Sequence, residues 1–217
     1  MDIGLYFSGL VLGFSIAAPV GPIGVLCIRR TLADGRAVGF FSGLGAATAD
    51  AVYGSIAAFG LTFLSSLLVD QQTWLRLIGG SFLLYLGVRT FLARPADRPA
   101  IVNGEPLTPN ERKGQALMGA YTSTFFLTLT NPMTILSFSA MFASFNLGTG
   151  RGFLPAVALV LGVLSGSALW WLLLSGGVGL FRSRFTPAVM VWVNRVSGLI
   201  VAGFGVVTLG SLILKLV

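Results

Sequence analysis

Ala18-Pro19-Val20-Gly21-Pro22-Ile23-Gly24 interrupts an apolar run that extends from about Ile3 to Ile28. A run of that length is long enough to cross a bilayer, since roughly 20 apolar residues cover the hydrocarbon core as a helix. Two prolines remove two backbone donors and disfavour helix at the residues just before them. The glycines beside them make a distortion cheap. Irregular backbone at this depth is tolerated only where protein or a water-filled cavity surrounds it. The segment therefore predicts a broken membrane helix with a cavity beside it.

The rest of the chain has matching character. Hydrophobic residues make up 55% of the 217 positions and charged residues 10%, with a mean hydropathy of +0.89. A soluble domain carries about 25% charge, so a soluble globular domain is excluded, as are a disordered chain and a disulfide scaffold. The sequence has no histidine and one cysteine, Cys27. A His-ligated metal site and a Ser-His-Asp hydrolase are thereby ruled out, and neither an internal disulfide nor a cysteine cluster can form.

Six apolar stretches predict an all-α integral membrane protein: approximately Ile3–Ile28, Val38–Val69, Leu75–Leu92, Ala116–Phe145, Phe153–Leu180 and Val189–Leu216. The first is read as a span and not as a cleaved signal peptide, because Asp2 replaces a basic leader region and the run is too long. Arg29, Arg30, Arg36, Arg89, Arg94, Arg98, Arg112, Lys113, Arg182 and Arg184 fall in connections on one side, against Arg76, Arg151 and Lys215 on the other. Cytoplasmic loops collect Lys and Arg, so both termini are expected outside. The net charge of +7 then reports topology, and nucleic acid is not an expected partner. Residues 93–115, with Pro95, Pro99, Pro106 and Pro109, read as a cytoplasmic linker.

The two halves repeat. Trp74, Gly80 and Gly87 recur as Trp192, Gly198 and Gly205 at an offset of 118. Gly45 and Tyr53 meet Gly162 and Trp170 at 117, with Asp50 opposite Ser167; Gly35-Arg36 recurs as Gly150-Arg151 at 115, and Pro19 as Pro132 at 113. Chance matches of glycine compete with this reading, but the Trp pair and the ordered drift favour a true repeat. Residues 1–92 and 116–217 would then be two three-helix units of opposite orientation, a 3+3 inverted repeat within one membrane domain, as many secondary transporters use.

Thr130-Asn131-Pro132-Met133-Thr134 occupies in span four the place that Pro-Val-Gly-Pro holds in span one. Asn suits a helix cap and Pro a first helical position. Helix N-termini exposed at such breaks suit an anion; kinks used only for packing are the plainer alternative. Asp50 lies about 18 Å into span two at 1.5 Å per residue, and no other acid falls inside a span. A carboxylate there must face a cavity or a partner. It is a candidate to bind a substrate ammonium or carry a coupling proton, with Tyr53 on the same helical face as support. Trp170 and Trp171, inside span five, are either cavity wall or core.

Pro-Val-Gly-Pro, the basic turn Arg29–Arg36, Ala49-Asp50-Ala51-Val52-Tyr53 and Thr-Asn-Pro-Met-Thr resemble the lysine exporter (LysE/RhtB) family over essentially the whole chain. The resemblance implies a multi-pass protein of the bacterial inner membrane that exports an amino acid, driven by the proton motive force. It implies substrate-binding roles for Pro19, Gly21, Pro22, Asn131 and Pro132. Asp50 resembles the span-two Asp of members that export basic amino acids, and many neutral-amino-acid members carry a shorter Pro-Gly-Pro motif. With Asp50, Tyr53 and Thr134 these form the candidate site. The expected partners are an amino-acid substrate and membrane lipid, a homo-oligomer is left open, and no cofactor or metal is expected. A metal-ion transporter on the same scaffold is the competing reading, although one buried carboxylate offers few ligands. An intramembrane enzyme would lack a nucleophile–base pair, and a structural subunit would leave the broken spans unexplained.

Overall fold

Proline at the first position starts three of the helices. The computed structural model describes residues 3–19, 21–59, 71–93, 101–102, 105–106, 109–131, 134–135, 137–138, 153–181 and 187–213. Seven helices are given there: α1 (Ile3–Ala17), α2 (Pro22–Asp34), α3 (Arg36–Ala58), α4 (Gln72–Leu92), α5 (Pro109–Leu129), α6 (Phe153–Leu180) and α7 (Pro187–Ile213). Pro22, Pro109 and Pro187 open α2, α5 and α7, where a missing N–H costs nothing. Among the described residues the one departure from helix and loop is a short antiparallel pairing of Ile101–Val102 with Glu105–Pro106.

Among the described residues three helices are long and apolar enough to cross a membrane: Thr73–Leu92, Phe153–Leu180 and Val191–Leu212. α1 and α2 meet that test together, as a pair bent by 81°. The first apolar run is thus two helices meeting nearly at a right angle, and the helix after the break continues through Arg29 and Arg30 to Asp34. Those two arginines were expected in a connecting turn; they belong to α2 because no helix breaker occurs before Gly35. Gly35 ends that helix with φ 105°, a left-handed conformation cheap only for glycine, and α3 starts at the next residue. α5 begins at Pro109, so residues 109–115 of the expected linker are helical; Glu111 in its first turn suits the helix dipole.

Glycines set the packing. A Cβ on Gly162 would strike the Tyr6 carbonyl and Leu10 N, and one on Gly166 the Leu10 carbonyl and Phe14 N. α6 therefore lies against α1, parallel to it, at backbone contact. A Cβ on Gly45 would strike the Tyr121 carbonyl and Phe125 N, which packs α3 on α5 with the same i, i+4 geometry. α4 and α7 cross antiparallel: Gly205 abuts Gly80 and Leu84, and Gly198 abuts Gly87 and Phe91. α3 and α6 also run antiparallel, with Gly43 on Trp171, Asp50 on Ser167 and Gly54 on Val163. The core between them contains Leu26, Cys27, Ala46, Leu86, Leu127 and Val201.

Trp74 and Trp192, the pair that the sequence comparison sets together, both face outward, 62% and 66% exposed. The buried Thr31 and Thr128 hydroxyls return hydrogen bonds to the Cys27 and Thr124 carbonyls of their own helices, which meets their need for a partner where water is absent. Pro132, Gly150-Arg151, Arg94, Arg98, Arg182, Arg184 and Lys215 lie outside the described residues.

Candidate functional site

The break after Ala17 and the start of α2 open a cavity of about 350 Å³, at the small end of the roughly 300–1,000 Å³ usual for small-molecule sites. Pro19, Gly21, Pro22 and Gly24 form one wall. α2 restarts there with Gly21 as its cap and no side chain capping it; the first bond back to the cap is Val25 N–H to the Gly21 carbonyl, 3.1 Å. The N–H groups of Ile23 and Gly24 thus precede the first intrahelical bond and give the wall a partial positive charge.

The second break faces the first across the cavity. α5 ends at Leu129; Asn131 N–H bonds the Thr128 carbonyl at 3.2 Å, and Ile135 N–H bonds the Asn131 carbonyl at 3.2 Å. Helix is present again at Thr134 and Ile135. The Ile135–Asn131 bond has the same i, i+4 form as the Val25–Gly21 bond. Thr128, Asn131, Thr134 and Ser137 line the cavity from this side.

Asp50 reaches the same space from α3 and is 3% exposed. Ser167 of α6 donates to its Oδ2 at 2.7 Å. Among the described residues no donor meets the other oxygen, Oδ1, so half of the carboxylate is available to the cavity. It is the one ionisable side chain in the described lining. An ionised carboxylate so placed is costly unless a cation or proton joins it.

The structure brings Pro19, Gly21, Pro22, Asp50, Asn131 and Thr134 to one cavity. Pro132 lies outside the described residues. Tyr53 does not line the cavity: its hydroxyl donates to the Leu129 carbonyl at 2.5 Å and its ring stacks on Phe138. One turn beyond Asp50, it faces the end of α5 and holds the break in place without reaching the site. Of the two tryptophans, Trp171 lines the cavity and Trp170 packs edge-on against Phe14 at 5.4 Å. Thr128 and Thr208 were missed, although a hydroxyl within an apolar run is a usable signal; Leu83 and Phe204, the apolar wall, carry none.

A second polar cluster lies further along α2. Arg30 donates through Nη1 to Ser42 Oγ at 2.7 Å, Thr124 Oγ1 at 2.8 Å and the Ala120 carbonyl at 3.1 Å, and through Nη2 to Ser123 Oγ at 2.8 Å. Arg29 donates to Asn194 Oδ1 at 2.9 Å, and Asn194 in turn donates to the Ala93 carbonyl at 3.1 Å. These bonds tie α2 to α3, α5 and α7 at one end of the molecule.

Broken helices around a cavity with one half-satisfied carboxylate, in an apolar helical chain, are the form of a membrane translocator. The LysE type translocator family matches residues 14–211, and the chain belongs to that family. It is similar to the "Putative amino acid efflux protein YcgF" of Bacillus subtilis, 28% identical over 204 residues that cover 93% of each chain. It is also similar to the "Uncharacterized membrane protein YahN" of Escherichia coli, 27% identical over 183 residues covering 82% of this chain and 76% of the relative. No solved structure matches the chain.

Proposed function

We propose that this translocator is a secondary active exporter of an amino acid in the bacterial inner membrane, driven by the proton motive force. The observation that carries the reading is Asp50 in a cavity bounded by two helix restarts. A zwitterion supplies a cation for the carboxylate and an anion for the helix N-termini, so the two halves of the site call for opposite charges on one molecule. Before substrate binds or after it leaves, a proton on Asp50 would neutralise the buried charge, which is how one residue serves both binding and coupling. Export of an amino acid is also what the name of the Bacillus relative describes.

The scaffold is read as six spans in a 3+3 inverted repeat with both termini outside. The glycine contacts support it: Gly205 against Gly80 and Leu84 becomes, with 118 exchanged between the partners, Gly87 against Ala202. The Asp50–Ser167 bond joins positions related by the 117 offset, so it exchanges into itself, as a contact on a two-fold axis does. Parallel α1 and α6 with antiparallel α4 and α7 fit alternating spans. Arg29, Arg30, Arg36 and Arg89 belong to helix ends that meet at one end of the molecule, which supports that end as cytoplasmic. The competing metal-ion reading gains nothing from a described lining with one carboxylate.

Proteoliposomes loaded with amino acids and given a pH gradient test the proposal. Asp50→Asn together with Pro132→Ala is expected to abolish gradient-driven efflux, and unchanged efflux would sink it.

A further inference from the structure

Three serines lie on α6, and two of them are satisfied within the helix. Ser165 donates to the Leu161 carbonyl and Ser175 to the Trp171 carbonyl, each at 2.7 Å, the usual outlet for a hydroxyl in an apolar helix. Ser167 does not follow them. It is fully buried and donates across to Asp50 Oδ2 on α3, at 2.7 Å. The helix neighbours of Asp50, Ala46, Ala47 and Ala49, are buried and offer no side-chain donor. Among the described residues the Ser167 hydroxyl is thus the one group that holds this carboxyl.

The packing on either side keeps the bond in place. Val163, Ser167 and Trp171 follow one another on the face of α6 that meets α3, opposite Gly54, Asp50 and Gly43 in turn. A Cβ on Gly43 would strike Cβ and Cγ of Trp171, and one on Gly54 would find Val163 at 3.6 Å. The two helices cannot turn or withdraw at Asp50 without giving up these contacts. The carboxyl group is therefore pinned by Oδ2 and does not rotate freely. Among the described residues Oδ1 has no donor, and it is not sealed from the cavity that Asp50 lines.

We propose that Ser167 is a positioning residue for translocation: by holding Oδ2 it fixes the carboxyl group of Asp50 with Oδ1 presented to the substrate ammonium. The inference rests on the amino-acid reading above and adds the residue that orients the anchor. An unpinned carboxyl group would spread over several orientations, and binding would have to order it. With Oδ2 taken, the ammonium and the coupling proton use the same oxygen in turn. A hydroxyl suits both states, because it donates to Oδ2 whether Oδ1 is bare or protonated.

The test uses the full-length protein in proteoliposomes loaded with each of the twenty common amino acids at rising concentration, under an imposed pH gradient. Ser167→Ala removes the hydroxyl, whereas Ser167→Thr keeps it and adds a methyl to a fully buried place. Ser167→Ala is expected to raise the KM of the exported amino acid about tenfold, the scale of one hydrogen bond to a charged group. Vmax per folded protein is expected to stay within about twofold of wild type. Ser167→Thr is expected to recover most of the loss in KM. A role in packing alone reverses that order, since the larger side chain then does more harm than the smaller. Unchanged KM in Ser167→Ala would overturn the proposal, as would a Ser167→Thr protein that elutes as wild type in size exclusion with the KM of Ser167→Ala or worse. If Ser167→Thr does not elute as wild type, Ser167→Cys replaces it. Its weak thiol donor is expected to give a KM between wild type and Ser167→Ala, and a value no better than that of Ser167→Ala would overturn the proposal. If wild type exports none of the twenty, the amino-acid reading itself falls and the Ser167 assignment with it. If it exports one and KM is unmoved in Ser167→Ala, only the Ser167 assignment falls.

Discussion

Arg30 is a cation held by neutral groups. Its guanidinium donates to two hydroxyls and a carbonyl on α3 and α5 through one nitrogen and to a third hydroxyl through the other. Hydrogen bonds to a charged group are worth about 1.5–3 kcal/mol each, while burial of the charge works against them. Lysine has the charge but not the planar fork. Arg30→Ala is expected to lower the melting temperature in detergent by several degrees, and Arg30→Lys to recover less than half of that loss. Full recovery by lysine would show that charge alone matters at this position. At this scale the sequence made Asp50 legible, because a lone acid in an apolar span has few explanations. Arg30 was not, since its partners Ser123 and Thr124 lie more than 90 residues away and neither they nor Ser42 is charged.

Helices meet here where glycine lets backbones touch, and the same residue type is idle elsewhere. Gly45 and Gly162 face the backbone of the neighbouring helix, whereas a Cβ on Gly54 would find Val163 at an ordinary 3.6 Å and one on Gly203 would meet nothing within 4 Å. Overpacking typically costs 1–3 kcal/mol, while Gly→Ala in an exposed helix gains up to about 1 kcal/mol. Gly45→Ala and Gly162→Ala are therefore expected to reduce the yield of monodisperse protein, with Gly54→Ala and Gly203→Ala neutral or better. Fluorescence-detected size exclusion of the four variants decides it; equal behaviour of both pairs would remove the glycine contacts as determinants of packing. Span five was legible residue for residue as α6, because no charged residue interrupts it. The first span was legible as broken but not as an 81° corner: prolines announce where helix stops, and the direction of the next helix depends on side chains such as Arg30 that fasten it elsewhere.

Orientation belongs to the whole molecule. In a Cys27→Ser background, a membrane-impermeant maleimide is expected to label Gln71→Cys in intact cells and Gly114→Cys only after permeabilisation; the reverse pattern would invert the topology. Both positions are exposed, so access depends on the side of the membrane. The proposed internal repeat rests on glycine and tryptophan spacing, and the residue that differs between the halves would give it functional weight. Asp50 and Ser167 occupy related positions and bond each other. When two halves rock about a shared axis, displacement grows with distance from it, so a group at the pivot barely moves while the outer walls swing through ångströms. The acidic anchor would then keep hold of its ligand as the gates trade places, and the carrier would turn around its cargo like a hinge around its pin.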